Sequence, residues 1–577
     1  MAQMRLALAQ INPTVGDLAG NARAVREWTA KAVARGAHLV AFPEMMLTGY
    51  PVEDLALRSS FVQASRIALT ELATALALDG HGDLPVVVGY LDHAPYRLNE
   101  ADRPLPQNCA AVLHKGQVKA RYAKHHLPNY GVFDEFRIFA PGKDLTVVRI
   151  GDVDVAIAIC EDLWQEGGPV ALTRQAGAEL LLVINGSPYE ADKDDVRYEL
   201  VARRAAEAGC TLAYLNMVGG QDELVFDGDS LVVNAAGQIL ARGPQFDEEL
   251  LVVDLDLEPS TVDPADPSEK VVRVTLSDTP IAPYAAAPDA LAPRLDPVGA
   301  VYRAVQLGLH DYVRKNGFRS VLLGVSGGID STLVATMAAD ALGGENVVAI
   351  SNPSKYSSQG SRDDAAELAE NLGLDYRVIP IEPMVSAFLD AVKLSGVAEE
   401  NLQARVRALI WMGLGNQEGH LVLANSNKSE VSVGYSTIYG DSVGGYAPLK
   451  DVPKTKVWEL ARWRNAEAQR RGEKPPIPLA SISKAPSAEL RPGQVDQDSL
   501  PPYEVLDAIL DRYVEGAQGR AELIEAGFEP AVVDQVVGLV DSAEWKRRQF
   551  APGPKISSLA FGRDRRLPVT NRWREHD

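Results

Sequence analysis

The chain has 577 residues, 46% of them hydrophobic and 23% charged, and a formal net charge of −21. That apolar content serves more than one core at about 100 to 200 residues per domain, and the acidic balance argues against a nucleic-acid carrier, which needs a basic face. Three cysteines, Cys109, Cys160 and Cys210, are too few and too odd a set for a disulfide framework and point to a reducing compartment.

The N-terminal MAQMRLALAQINPTVGD lacks the long apolar region of a signal peptide, and nowhere do about 18 apolar residues run together without a charge. A cytoplasmic protein with no membrane span is expected. RLALAQI (5–11) and HLVAFPE (38–44) read as strands around a helix over about 21–35, where Val25, Trp28, Ala32 and Val33 fall near one face. Further strand-like runs are LPVVVGYL (84–91), DVAIAIC (154–160), AELLLVINGS (178–187) and LAYLNMVG (212–219), which suggests an α/β layer architecture. Residues 263–297, crowded with Pro, Ala and Asp, read as a linker or extended connection. Beyond them SVLLGVS (320–326), NVVAIS (346–351), YRVIPI (376–381) and HLVLANS (420–426) alternate with helical patterns. That spacing fits a parallel, doubly wound sheet with ligands at the carboxyl ends of its strands.

SVLLGVSGGIDSTLVATMAA (320–339) is a strand, a glycine turn and a helix. Gly327 and Gly328 allow the turn, and Ser331 stands where free N–H groups of the helix start can face an anion. No Walker A pattern is present. The hexamer SGGIDS resembles the pyrophosphate loop of the ATP pyrophosphatases (adenine nucleotide alpha hydrolase-like fold), which split ATP into AMP and pyrophosphate. Transfer of AMP gives a carboxylate the leaving group that reaction with ammonia requires. NLQARVRALIWMG (401–413), ANSNKSEVSVGYSTIYGDSVGGYAPLKDVPKTKVW (424–458) and SKAPSAELRPGQVDQDSLPPYEVLD (483–507) narrow the resemblance to the NAD synthetases, over about residues 296–577. It implies that Ser326, Gly327, Gly328, Ile329, Asp330, Ser331 and Lys454 bind ATP. Asp330 and Glu430 are implied as Mg2+ ligands, and Asn401 and Arg405 as contacts for deamido-NAD. Taken singly, Asp330 also reads as a helix cap, Glu430 as a solvated carboxylate and Lys454 as an exposed lysine. The cationic run from Lys546 to Arg574 reads either as a solvated basic tail or as a segment that folds over the phosphates of the two nucleotides.

Such a synthetase needs ammonia, which is mostly protonated at neutral pH, so a coupled glutaminase is expected. VAIAICEDLW (155–164) leaves Cys160 open as either a buried structural thiol or a nucleophile. With AFPEMMLTGYP (41–51) and RYAKHHLPNYGVFDEFRIF (121–139) it resembles, in order, the Glu, Lys and Cys blocks of the nitrilase superfamily. The resemblance implies an αββα sandwich over residues 1–265, and the Pro-, Ala- and Asp-rich composition that follows places a connection over 266–295. Glu44 is implied as general base, Lys124 as the cation that stabilises the oxyanion, and Cys160 as nucleophile. Glu135 is a candidate for orienting Lys124, and Tyr130, Glu161, Ser187 and Lys193 are implied as glutamine contacts. Cys109 and Cys210 read as structural thiols. Adjacent His125 and His126 on an extended segment point to opposite sides, which argues against joint metal ligation. Asp162 receives no role.

Together the resemblances imply glutamine-dependent, ATP-driven amidation of deamido-NAD, with NAD, AMP, pyrophosphate and glutamate as products. A homo-oligomer enclosing an ammonia tunnel is implied, the octamer among its sizes. The alternatives are an ammonia-dependent synthetase with a silent nitrilase domain, a non-catalytic nucleotide-binding regulator, and another adenylating amidotransferase.

Overall fold

Side chains that alternate at period two sort the first half of the chain into layers. The computed structural model describes residues 2–98, 104–191, 193–263, 269–286, 290–573 and Glu575. The chain divides into two units, Met1–Gln221 with Phe226–Leu295, and Asp222–Val225 with Asp296–Asp577.

The first unit runs β1 (Ala2–Gln10), α1 (Leu18–Ala34), β2 (Leu39–Ala41), α2 (Ser59–Leu78), β3 (Val86–Leu98), β4 (Pro104–His114), β5 (Gln117–Ala123), α3 (Glu135–Ile138), β6 (Leu145–Ile150), β7 (Val153–Ile159), α4 (Glu161–Trp164), α5 (Gly168–Ala176), β8 (Leu180–Asn185), α6 (Lys193–Ala208), β9 (Thr211–Asn216), β10 (Val218–Gln221), β11 (Leu224–Asp227), β12 (Leu231–Val233), β13 (Ile239–Arg242), β14 (Glu249–Leu257) and β15 (Val271–Ser277). One sheet has the order β14-β1-β2-β3-β4-β5 and the other β13-β12-β9-β8-β7-β6-β15. Met4, Leu6 and Leu8 of β1 share one buried cluster with Val155, Ile157 and Ile159 of β7 and Leu180, Leu182 and Ile184 of β8, so it lies between the sheets. The intervening Ala7 and Ala9 pack outward with Val25 of α1 and Leu69 and Leu72 of α2, and Ala156, Ala158, Leu181 and Val183 pack with Val170 of α5 and Val201 of α6. The result is the expected αββα sandwich. Each fully buried aliphatic side chain in it contributes about 1.5–3 kcal/mol.

Asp17 caps α1 by accepting from Gly20 N at 2.8 Å. Val25, Thr29 and Ala32 make its buried face, whereas Val33, expected there, is exposed because it lies one residue past the stripe. α2 is long and apolar enough to pass for a membrane span, yet its Val62, Leu69, Leu72 and Leu76 are buried. The stretch read as a linker differs from that reading. VVRVTLS within it forms β15, parallel to β6 from Val271↔Leu145 onward, and Arg273 pairs with Asp154 at 3.1 Å. Flanking Pro and Asp hid a strand whose alternation is real. Residues 264–268 and 287–289 lie outside the described residues.

The second unit runs α7 (Pro297–Lys315), β16 (Val321–Gly324), α8 (Ile329–Leu342), β17 (Val347–Ser351), α9 (Gln359–Leu372), β18 (Asp375–Val378), α10 (Glu382–Ala391), α11 (Val397–Glu418), β19 (Leu421–Val422), α12 (Lys428–Val433), α13 (Lys454–Arg470), α14 (Leu479–Ser483), α15 (Tyr503–Leu510), α16 (Arg520–Glu525), α17 (Pro530–Ser542) and α18 (Glu544–Arg547). Its sheet, β18-β17-β16-β19, is parallel throughout. Leu322, Val348 and Ile350 pack on Ala408 and Trp411 of α11. By alternation, the equally buried Val321, Leu323, Val347 and Ala349 supply the opposite face, and α8 packs on β16 and β17. The SGGIDS loop thus emerges at the carboxyl end of β16, between the helix layers.

Candidate active sites

In the first unit, the ends of several strands converge. Glu44 lies three residues beyond β2 and Cys160 directly follows β7. Lys124 directly follows β5, and Gly186 and Ser187 follow β8. Lys124 Nζ donates to Glu44 Oε1 at 2.8 Å and lies 2.8 Å from Glu135 Oε2, with all three side chains at most 5% exposed. Glu44 is held further by Asn108 Nδ2 at 2.6 Å and by Gly186 N, which donates to Oε2 at 2.8 Å. Tyr50 Oη donates to Glu135 Oε1 at 2.9 Å. The turn carrying Glu44 runs hard against β3, where a Cβ on Gly89 would stand 2.2 Å from Met45 N. Glycine is required there by close approach rather than by φ.

Cys160 has φ 46° and ψ −97°, a conformation rarely adopted by a residue with a side chain. It sits between β7 and α4, in the strand, strained turn and helix arrangement that can present a side chain at the end of a strand, and its own side chain is buried. No flanking glycine signals this turn in the sequence. Burial holds the Cys160 thiol well above its ordinary range, the Glu44 charge adds to this, and the Lys124 ammonium opposes it. Among the carboxylates around the thiol, Glu44 is the one whose charge acts on it most strongly. Burial pushes Glu135 up to about 7 against the pull of Lys124. By contrast Cys109 and Cys210 are buried in apolar clusters and pushed up to about 12, as structural thiols are.

Of the expected glutamine contacts, Glu161 is buried and accepts from Tyr130 Oη at 2.9 Å, while the Tyr130 ring is half-exposed. Ser187 is buried, its N–H donating to Asn216 Oδ1 at 2.9 Å. Lys193 opens α6, and its side chain lies outside the described residues. Asn108 and the Gly186 N–H went unread in the sequence; their roles depend on pairings across 64 and 142 residues.

In the second unit a cavity of about 940 Å³ opens at the strand ends, a volume that suits a small-molecule ligand. Ser326, Gly328, Ile329, Asp330, Ser331, Asn401, Arg405, Glu430 and Lys454 all line it. Within the loop Ser326 Oγ accepts from Gly328 N at 3.2 Å, and Ser331 Oγ donates to Gly328 O at 3.1 Å. Gly327 has φ 75°, and a Cβ there would stand 2.2 Å from Ser361 O, so no other residue fits the turn. Lys454 Nζ lies 2.5 Å from Asp330 Oδ2 and 3.2 Å from Glu430 Oε1. Asn427, unassigned in the sequence, joins the two acids. Its Nδ2 donates to Asp330 Oδ1 at 2.8 Å, and its Oδ1 accepts from Glu430 N at 3.0 Å as the cap of α12. Burial pushes Glu430 up to about 8, Lys454 opposing and Asp330 adding to the shift. Asp330 inside the SGGIDS loop and Glu430 across Lys454 from it are hard oxygen donors of the kind Mg2+ takes alongside substrate phosphates and water.

Asn401 Oδ1 accepts from Thr437 Oγ1 at 2.7 Å, and Arg405 Nε donates to Ile438 O at 3.2 Å, so both brace the segment 434–441 at the cavity wall. Of the basic C-terminal run, Lys546 reaches the cavity, beside Trp545 just before it. Lys546 Nζ is already donating to Gly434 O and Ser436 O, at 2.7 and 2.8 Å. Arg547 is buried against Glu544 and backbone carbonyls, and Arg565 packs over Phe561. Much of that charge therefore serves the fold; Arg574 lies outside the described residues.

Comparison with known proteins matches both halves. The family model of carbon-nitrogen hydrolases covers residues 5–262 and that of NAD synthases residues 301–550. A glutamine-dependent NAD(+) synthetase of Rhodobacter capsulatus is 47% identical over 99% of each chain. One from Thermotoga maritima is 43% identical over 100% of each. Among solved structures, a glutamine-dependent NAD+ synthetase of Acinetobacter baumannii in complex with ADP is 37% identical over 100% of each chain, with a TM-score of 0.72.

Proposed function

The chain belongs to the glutamine-dependent NAD(+) synthetases, and from that premise we propose how its own residues divide the amidation of deamido-NAD by glutamine and ATP. The observation that carries the reading is the buried Lys124 ammonium held between Glu44 and Glu135 beside the strained Cys160 turn. Glu44 accepts the thiol proton as Cys160 Sγ attacks the side-chain amide carbon of glutamine. Lys124 faces the oxyanion that forms, an electrostatic role that commonly contributes the largest share of rate acceleration. The proton returns from Glu44 to the leaving nitrogen, ammonia departs, and a water deprotonated by Glu44 cleaves the thioester to glutamate. Glu161, oriented by Tyr130, takes the α-amino group of glutamine; Ser187 and Lys193 complete its subsite, with Lys193 taking the α-carboxylate.

In the second unit, the carboxylate of deamido-NAD attacks the α-phosphorus of ATP and displaces pyrophosphate; ammonia from glutamine then displaces AMP and leaves NAD. The ADP held by the Acinetobacter baumannii relative supports an adenine nucleotide as ligand. Ser326, Gly327, Gly328, Ile329 and Ser331 cradle its phosphates, and Lys454 neutralises the charge leaving with pyrophosphate. Asn401 and Arg405 contact deamido-NAD. Asp330 and Glu430 would hold Mg2+, which supplies charge neutralisation at the phosphates when bound. A homo-oligomer belongs to the same reading, checked by the solution mass.

NAD formation is to be measured with glutamine and with ammonium, in the parent and in Cys160→Ala. Glutamine use is expected to vanish in the variant while ammonium use stays. Retained glutamine use, or loss of both in a folded protein, overturns the assignment.

A further inference from the structure

Glu161 and Asp162 follow the nucleophile, and only the first belongs to the glutamine subsite. Asp162 is fully buried with four donors on its carboxylate. Oδ1 accepts from His125 N at 3.0 Å and His126 N at 2.8 Å. Oδ2 accepts from Tyr122 Oη at 2.6 Å and from Ile159 N at 3.0 Å. Tyr122, His125 and His126 bracket Lys124, while Ile159 and Asp162 bracket Cys160. One carboxylate thus ties the segment that carries the catalytic cation to the turn that carries the thiol.

We propose that Asp162 is a positioning residue of the glutaminase reaction, tying the Tyr122 side chain before Lys124 and the His125 and His126 backbone after it to the Cys160 turn, so that ammonium and thiol keep their spacing. The inference rests on the roles proposed above for Cys160 and Lys124. Tyr122 Oη spends its only proton on Asp162 and takes its second bond from His125 Nδ1 at 2.9 Å, which makes Nδ1 the protonated ring nitrogen. The His126 ring closes the outer side, lying so near Gly168 that a Cβ there would stand 2.5 Å from His126 Cε1.

An asparagine at 162 keeps the shape but cannot keep the clamp, because one of its two terminal atoms becomes a donor. With its oxygen toward His125 and His126, its NH2 opposes Ile159 N–H and the tie to Cys160 is lost. Turned the other way, it opposes both N–H groups that follow Lys124. Either orientation frees one reacting group from the other, and a misplacement of about 1 Å costs on the order of 100-fold in rate.

The experiment compares full-length Asp162→Asn with the parent, measuring kcat and KM for glutamine and NAD formation with ammonium. The expected result is a kcat lower by about 100-fold, a KM for glutamine within about threefold of the parent's, and ammonium-dependent synthesis unchanged. A parent-like kcat, or an effect confined to KM, overturns the proposal. If Asp162→Asn loses ammonium-dependent synthesis as well, Tyr122→Phe decides, since it removes one of the four donors and leaves the charge in place. The proposal then requires a reduced kcat at unchanged KM, and a parent-like kcat overturns it. Cys160→Ala runs beside both. Glutamine use surviving there sinks the nucleophile assignment itself, whereas its loss beside a parent-like Asp162→Asn sinks only the clamp.

Discussion

Replacing Lys124 with methionine keeps most of the side chain's volume and removes its charge from between two buried carboxylates. In the parent, Nζ lies 2.8 Å from both Glu44 and Glu135, and each side chain is at most 5% exposed. Breaking a buried ion pair by removing one partner costs about 3–5 kcal/mol, a large share of the roughly 5–15 kcal/mol that holds a domain together. The loss depends on pH in a defined direction. Glu135 stands at about 7 with Lys124 in place, against 4.5 for a free glutamate, and without the cation it rises further. A carboxylate raised in the folded state contributes stability that is full below about 4.5 and lost as pH climbs through the folded value. The variant is therefore destabilised least in mild acid, where Glu135 is neutral, and most at alkaline pH. Native-state hydrogen exchange suits the test because it reads amides of β5 and α3 without assuming that both units unfold together. Adding Glu135→Gln removes one of the stranded charges and should recover much of the protection, but not glutamine hydrolysis. Parent-like protection in Lys124→Met across the pH range, or a deficit that is larger in acid, refutes the reasoning.

Glu430, pushed up to about 8 from 4.5 chiefly by burial, obeys the same sign. Glu430→Gln lacks that group's loss of stability between about 4.5 and 8, so its stability relative to the parent rises with pH in thermal melts; a constant offset speaks against the shift. Two glycine substitutions should separate the sites. Gly89→Ala puts a methyl 2.2 Å from Met45 N and 2.4 Å from Pro43 O, which displaces the Glu44 turn, so glutamine-dependent synthesis falls by about 100-fold with ammonium-dependent synthesis spared. Gly327→Ala, at φ 75° and 2.2 Å from Ser361 O, should depress synthesis from both nitrogen sources by a similar factor, and steady-state assays with each source check the pair.

The strands of the sandwich core and the parallel sheet were legible because apolar alternation and continuous apolar runs are local signals. VAIAIC and HLVAFPE even announced the residues at their carboxyl ends, since strand ends are where such folds place chemistry. Asp330, Glu430 and Lys454, 124 residues apart at the widest, were readable as a set only through the order of their motifs. What the sequence hid is nonlocal or conformational. Asn108 meets Glu44 through strand pairing, Gly186 offers a backbone N–H that any residue possesses, and the positive φ of Cys160 carries no flanking glycine. Asp162 went without a role because its four donors come from two separate segments. VVRVTLS was masked by the prolines around it, and the C-terminal cations gave no sign that the fold's own carbonyls and carboxylates engage several of them.

The central claim is that the nitrogen on NAD is released from glutamine at Cys160. Its most direct measurement supplies glutamine with an isotope-labelled amide nitrogen together with unlabelled ammonium and follows the label into the carboxamide of NAD. The account predicts labelled NAD from the parent and wholly unlabelled NAD, still formed from ammonium, from Cys160→Ala. Unlabelled NAD from the parent, or labelled NAD from Cys160→Ala, would contradict it.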